Sequence, residues 1–115
     1  MSRISLYHNP RCSKSRAALA LLEKRGDDIR VIEYLKTPPD VAQIKRLATQ
    51  LGVPVREMLR NNEAVYRELK LGDAARSEDD LLNAIAKHPI LLQRPIAVAD
   101  KRAVIGRPPE KVLEL

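Results

Sequence analysis

A chain of 115 residues, 44% hydrophobic and 31% charged, has the size and balance of one folded domain, and its interspersed charges exclude an extended polyelectrolyte. The net charge of +6 admits an anionic partner, yet the basic residues come in pairs such as Lys24-Arg25 and Lys101-Arg102, with no basic tail and no aromatic row for stacking bases. With three Tyr, no Phe and no Trp, the core is expected to consist of Leu, Ile, Val and Ala.

The single cysteine, Cys12, rules out an internal disulfide and points to a reducing compartment. Met1 to Tyr7 is short and strand-like, so no leader peptide is read there. No apolar run approaches the ~20 residues that span a bilayer. A cytoplasmic protein without membrane contact is expected.

Ile4 and Leu6 alternate with neighbours up to Tyr7 and predict a first strand. His8-Asn9-Pro10 reads as a turn. A helix follows from Cys12 or Ser13 to Arg25, with Ala17, Leu19, Ala20, Leu21 and Leu22 on one broad apolar face and Gly26 as its stop. Ile29 to Leu35, rich in β-branched residues, predicts a second strand and completes a β-α-β unit. Asp40 caps a helix that carries Val41, Ile44, Leu47, Ala48 and Leu51 at helical spacing and ends at Gly52. Pro54 to Asn62 predicts a short helix with Arg60 near its end, and Glu63 to Leu71 another, stopped by Gly72. Ser77 caps a further helix that ends at His88-Pro89. Ile96 to Ala99 and Ala103 to Ile105 read as a hairpin around Asp100-Lys101, before a short final helix containing Val112 and Leu113. The expectation is a single domain, 1–115, with an all-helical insertion over about 40–88.

Cys12 stands where the first strand turns into the first helix, beside Arg11, Lys14 and Arg16, with His8 just before. A free thiol ionises at about 8.5, and a helix N-terminus with nearby cations lowers that value. The free N–H groups of the first turn and the helix dipole favour negative charge, so the same corner suits a thiolate and an oxyanion. Further cations would have to come from elsewhere in the chain. Three arginines stand in unusual settings: Arg60 before Asn61-Asn62, Arg94 before Pro95, and Arg107 between Gly106 and Pro108. A residue before proline is held extended, and a guanidinium matches the forked acceptors of a tetrahedral oxyanion. Two distant histidines and one cysteine make no metal-ligand cluster, and no glycine-rich phosphate loop or serine-hydrolase elbow is present.

Four segments together carry a resemblance: YHNPRCSKSR, REMLRNNE, HPILLQRPIAV and IGRPPEKVLE. In order and over nearly the whole chain, they resemble the arsenate reductase family of the glutaredoxin-dependent type. That resemblance implies a thioredoxin-like α/β fold, a mixed four-stranded sheet in the order β-α-β … β-β-α with a helical insertion. It also implies Cys12 as nucleophile and Arg60, Arg94 and Arg107 as the arsenate-binding arginines. His8, Ser15, Arg16 and Pro95 would support the site, with Pro95 preceded by a cis bond. No bound cofactor is implied: glutathione is a co-substrate, and glutaredoxin a partner that recycles the thiol. Ser13-Lys14 stands where many members of the family have Gly-Thr, a version similar to an arsenate reductase-like subgroup.

Two other readings share the superfamily. Cys12-Ser13-Lys14-Ser15 is a Cys-x-x-Ser pattern that suits a glutathione-dependent thiol transferase, whose chemistry does not need three arginines. A non-enzymatic regulator that binds RNA polymerase would suit the positive charge, although such proteins often carry Cys-x-x-Cys. Direct binding of nucleic acid is the least favoured, for want of a recognition motif.

Overall fold

A computed structural model describes residues 3–115. Met1 and Ser2, the start of the stretch judged too short for a leader, lie outside the described residues. The chain forms two compact units, one comprising the chain up to Thr37 together with Arg94–Leu115, the other Pro38–Gln93.

The first unit is built on a mixed sheet in the order β2-β1-β3-β4. Its strands are β1 (Arg3–His8), β2 (Asp28–Glu33), β3 (Ile96–Ala99) and β4 (Arg102–Ile105). β1 runs parallel to β2 and antiparallel to β3, and β3 and β4 form the hairpin expected around Asp100. The α/β class and the β-α-β … β-β order match the expectation. β2 stops at Glu33, two residues early, because Lys36 and Thr37 both donate to the Glu33 carbonyl and turn the chain.

Helix α1 (Ser13–Arg25) connects β1 to β2. Gly26 sits at φ 87°, and its N–H bonds Glu23 while that of Asp27 bonds Leu22, the paired closure that a left-handed residue permits. The buried stripe is Ser15, Ala18 and Leu22. Ala17 and Ala20, expected on the apolar face, are exposed, since residues three, four and seven apart share a helix face. Ile4 and Leu6 of β1, Ala97 of β3, Ala18 and Leu22 of α1, and Val112 make one core. Val112 comes from the final segment Pro109–Glu114, a 3₁₀ helix that packs on α1. Tyr34 is fully buried and so corrects the expectation of a purely aliphatic core.

The second unit holds α2 (Val41–Leu51), α3 (Ala64–Glu68) and α4 (Glu78–Lys87). Asp40 and Ser77 begin α2 and α4 with reciprocal capping boxes, Asp40 with Gln43 and Ser77 with Asp80. α2 packs on α4, and Ile44 and Leu47 of the first and Leu81 and Ile85 of the second are buried. The helix expected over Pro54 to Asn62 is one 3₁₀ turn, Val55–Met58, that ends at Leu59. Leu59 forms an isolated antiparallel bridge with Leu92, which draws the backbone extended before Arg60. α3 is shorter than expected, and the chain turns at Lys70, with φ 54°, ahead of Gly72.

Candidate active site

Cys12 is the N-cap of α1, with extended backbone (φ −93°, ψ 123°). Its thiol is partly exposed. The preceding turn is closed by the Cys12 N–H, which donates to the Asn9 carbonyl at 3.0 Å. No acidic residue lies in the first turn of α1, so nothing there opposes the positive end of the helix.

Burial pushes the Cys12 thiol up, but the N–H of Ser15, the Arg94 side chain, the N–H of Lys14 and the Arg94 charge together outweigh it and bring the pKa down to about 7. Two backbone donors and one guanidinium therefore supply the anion stabilisation expected at this corner. Arg107 adds a third direction, with Nη2 4.0 Å from Sγ, and its Nε donates to the Arg94 carbonyl at 2.9 Å. The ends of β3 and β4 thus bring Arg94 and Arg107 to the thiol. Both arginines precede cis prolines, Pro95 and Pro108. Pro95 is buried beneath Gly106, whose N–H donates to its carbonyl at 2.8 Å.

The supporting residues fall on either side of the same turn. His8 is buried at the end of β1, paired in register with Glu33. Burial lowers its pKa, Glu33 raises it and Arg16 lowers it, with a net fall, so its imidazole is neutral near pH 7. Arg16 Nη1 donates to the Pro10 carbonyl at 2.9 Å and clasps the outside of the turn. Ser15 is completely buried, and its Oγ accepts from the Asn9 N–H at 3.4 Å. Asn9 was not singled out from the sequence. Its signal was the Asn-Pro pair itself, because asparagine bonds the backbone two residues on and so initiates turns.

Arg60 belongs to the second unit. Its N–H donates to the Leu91 carbonyl at 2.7 Å, and its Nε contacts Glu63 Oε1 at 3.3 Å. A cleft of about 920 Å³ lies at the other end of β1, where Ile4, Ala99 and Lys101 line it; it shares no residue with the thiol corner. No group of three metal-ligating side chains occurs among the described residues, and no helix among them is long and apolar enough to cross a membrane.

The ArsC family model matches residues 7–115, a span that takes in Cys12, both thiol-facing arginines and the final 3₁₀ helix. The chain belongs to the ArsC family. A Neisseria meningitidis serogroup A protein named arsenate reductase is 49% identical over 113 residues, covering 97% of each chain. The Escherichia coli K12 protein YfgD is 47% identical over 114 residues, covering 98% of this chain and 96% of its own. The solved structure of an arsenate reductase from Vibrio cholerae matches with a TM-score of 0.96 at 53% identity, covering 98% of this chain and 97% of that one. As a member of the ArsC family, the chain joins the four-stranded sheet to a cysteine-led helix N-terminus with arginines delivered by the last two strands.

Proposed function

We propose that this ArsC family member reduces arsenate to arsenite through a Cys12 thiolate, with glutathione and glutaredoxin supplying the electrons. The reading is carried by one observation: a thiol with a pKa of about 7 at a helix N-terminus, faced by the guanidinium groups of Arg94 and Arg107. Its near relatives named arsenate reductase support the choice of oxyanion.

Arg94 and Arg107 bind the arsenate oxygens, and Arg60 is proposed as the third arginine of the set. The Cys12 sulfur attacks arsenic and water leaves, giving a thiol–arsenate adduct in which arsenic is still pentavalent. Glutathione then contributes a second thiol. As the sulfur–sulfur bond forms, two electrons pass to arsenic and arsenite departs. A second glutathione, acting through glutaredoxin, reduces the mixed disulfide and restores the Cys12 thiol. The sum is one arsenate and two glutathiones giving one arsenite, one oxidised glutathione and one water. The chain's lone cysteine requires this external second thiol. His8, buried and with its pKa lowered, is neutral and adds no positive charge to the site, so the cationic character there comes from the arginines.

The test is arsenite production from arsenate with glutathione, glutaredoxin and a reducing system, compared with Cys12→Ser. Turnover that vanishes in the variant supports the reading. A folded protein whose Cys12 alkylates near neutral pH but produces no arsenite overturns arsenate as the substrate.

A further inference from the structure

We infer that Asn9 is a positioning residue for Cys12, a reading that rests on Cys12 as the nucleophile and adds how its sulfur is aimed. Asn9 is only 6% exposed, although Pro10 and Arg11 beside it are exposed. Three of its polar atoms are used. Its N–H donates to Ser15 Oγ at 3.4 Å, its Oδ1 accepts from the Arg11 N–H at 3.0 Å, and its carbonyl accepts from the Cys12 N–H at 3.0 Å.

The consequence is a division of labour among backbone donors. Asn9 takes the N–H groups of Arg11 and Cys12, and those of Lys14 and Ser15 face the sulfur. The side-chain bond reaches two residues on and the backbone bond three, so together they fix both peptides of the Pro10-Arg11 turn. Cys12 is thereby held in the extended N-cap conformation that points its side chain over the first helical turn. Ser15 closes the loop, since its hydroxyl holds Asn9 while its own N–H faces the thiolate.

The choice of asparagine has a chemical reason. An aspartate would accept the Arg11 N–H equally well but would add a negative charge to the turn beneath the thiolate, which disfavours ionisation. An alanine keeps the two backbone bonds but leaves the Arg11 N–H without its acceptor, which loosens the turn. The other groups facing the sulfur, Arg94 and Arg107 from the sheet and the Lys14 and Ser15 amides from α1, are unaltered by either change.

The experiment is the pH profile of Cys12 alkylation by iodoacetamide in the full chain, for the parent, Asn9→Ala and Asn9→Asp, with thermal unfolding measured alongside. In Asn9→Ala the midpoint should move from near 7 toward the ordinary thiol value of about 8.5. The rate at neutral pH should fall about threefold, because the rarer thiolate is partly offset by its greater nucleophilicity. Asn9→Asp should raise the midpoint as well while unfolding closer to the parent temperature. Folded variants that titrate like the parent would reduce Asn9 to an ordinary turn residue and overturn the inference. If Asn9→Ala does not fold, parent-like titration in Asn9→Asp has the same force. Arsenite production retained in Cys12→Ser would instead sink the nucleophile assignment, whatever the Asn9 variants show.

Discussion

Arg107 donates from Nε to the main-chain carbonyl of Arg94 at 2.9 Å, while its Nη2 lies 4.0 Å from Cys12 Sγ. One guanidinium thus fastens the end of β4 to the end of β3 and faces the thiol with its remaining donors. A lysine offers one charged point in place of a planar fork and cannot satisfy both directions. Arg107→Lys should therefore lower kcat/KM for arsenate, where a charge-assisted hydrogen bond worth roughly 1.5–3 kcal/mol corresponds to about ten- to hundredfold. Arg94→Ala removes a guanidinium but keeps the carbonyl that anchors Arg107, so Arg107 should stay placed in that variant. Steady-state kinetics of the two single variants checks this, and a parent-like Arg107→Lys would refute it.

The Cys12 value of about 7 also predicts a pH dependence of stability. The unfolded thiol ionises at about 8.5, so between the two values the unfolded chain binds more protons and stability rises with pH. The thiolate's contribution is complete above the unfolded value and is lost as pH falls through 7. Cys12→Ser should flatten this part of the curve in urea unfolding measured against pH, as well as abolish turnover. A parent that shows no slope there would contradict the lowered value.

Much of this corner was legible in the sequence. Proline, cysteine and a helix-forming run fix a strand-turn-helix junction, and Gly26 marks the end of α1 by a local backbone rule. The two proline-preceding arginines stood out because their backbone setting is unusual. Asn9 did not, since its worth lies in three bonds that exist only once the turn has closed. Sequence periodicity also misjudged Ala17 and Ala20, because small residues satisfy an apolar pattern without revealing which way they face. Tyr34 fell inside the expected second strand, Ile29 to Leu35, and its complete burial arises from tertiary packing that no local pattern encodes.

His8 titrates in the opposite sense to an exposed histidine that gains a partner. Burial, chiefly, holds its pKa below the usual 6.5 against the pull of Glu33. The unfolded chain takes up the proton first as pH falls, so this contribution is intact above the unfolded value and declines as pH drops through the lowered folded one. His8→Gln should reduce the acid sensitivity of the parent over that window. NMR titration of the His8 ring gives a direct check, and a folded value above that of a model imidazole would contradict the prediction.

Gly106 connects β4 to Arg107, and the space beside its Cα is already taken. An added Cβ would lie 2.8 Å from Pro95 Cγ and 3.0 Å from Val112 Cγ1. The proline ring cannot swing away as a flexible side chain would, and the Gly106 N–H to Pro95 carbonyl bond at 2.8 Å holds the two backbones together. Gly106→Ala should cost about 1–3 kcal/mol of stability, the usual range for overpacking a filled core, as read by urea unfolding. The strain falls between the segments that carry Arg94 and Arg107, so activity should drop in the protein that remains folded. Adding Val112→Ala relieves only the second contact. It should leave the Pro95 clash, and therefore the activity loss, in place, while a double variant restored to parent turnover would show that Pro95 does not transmit the strain.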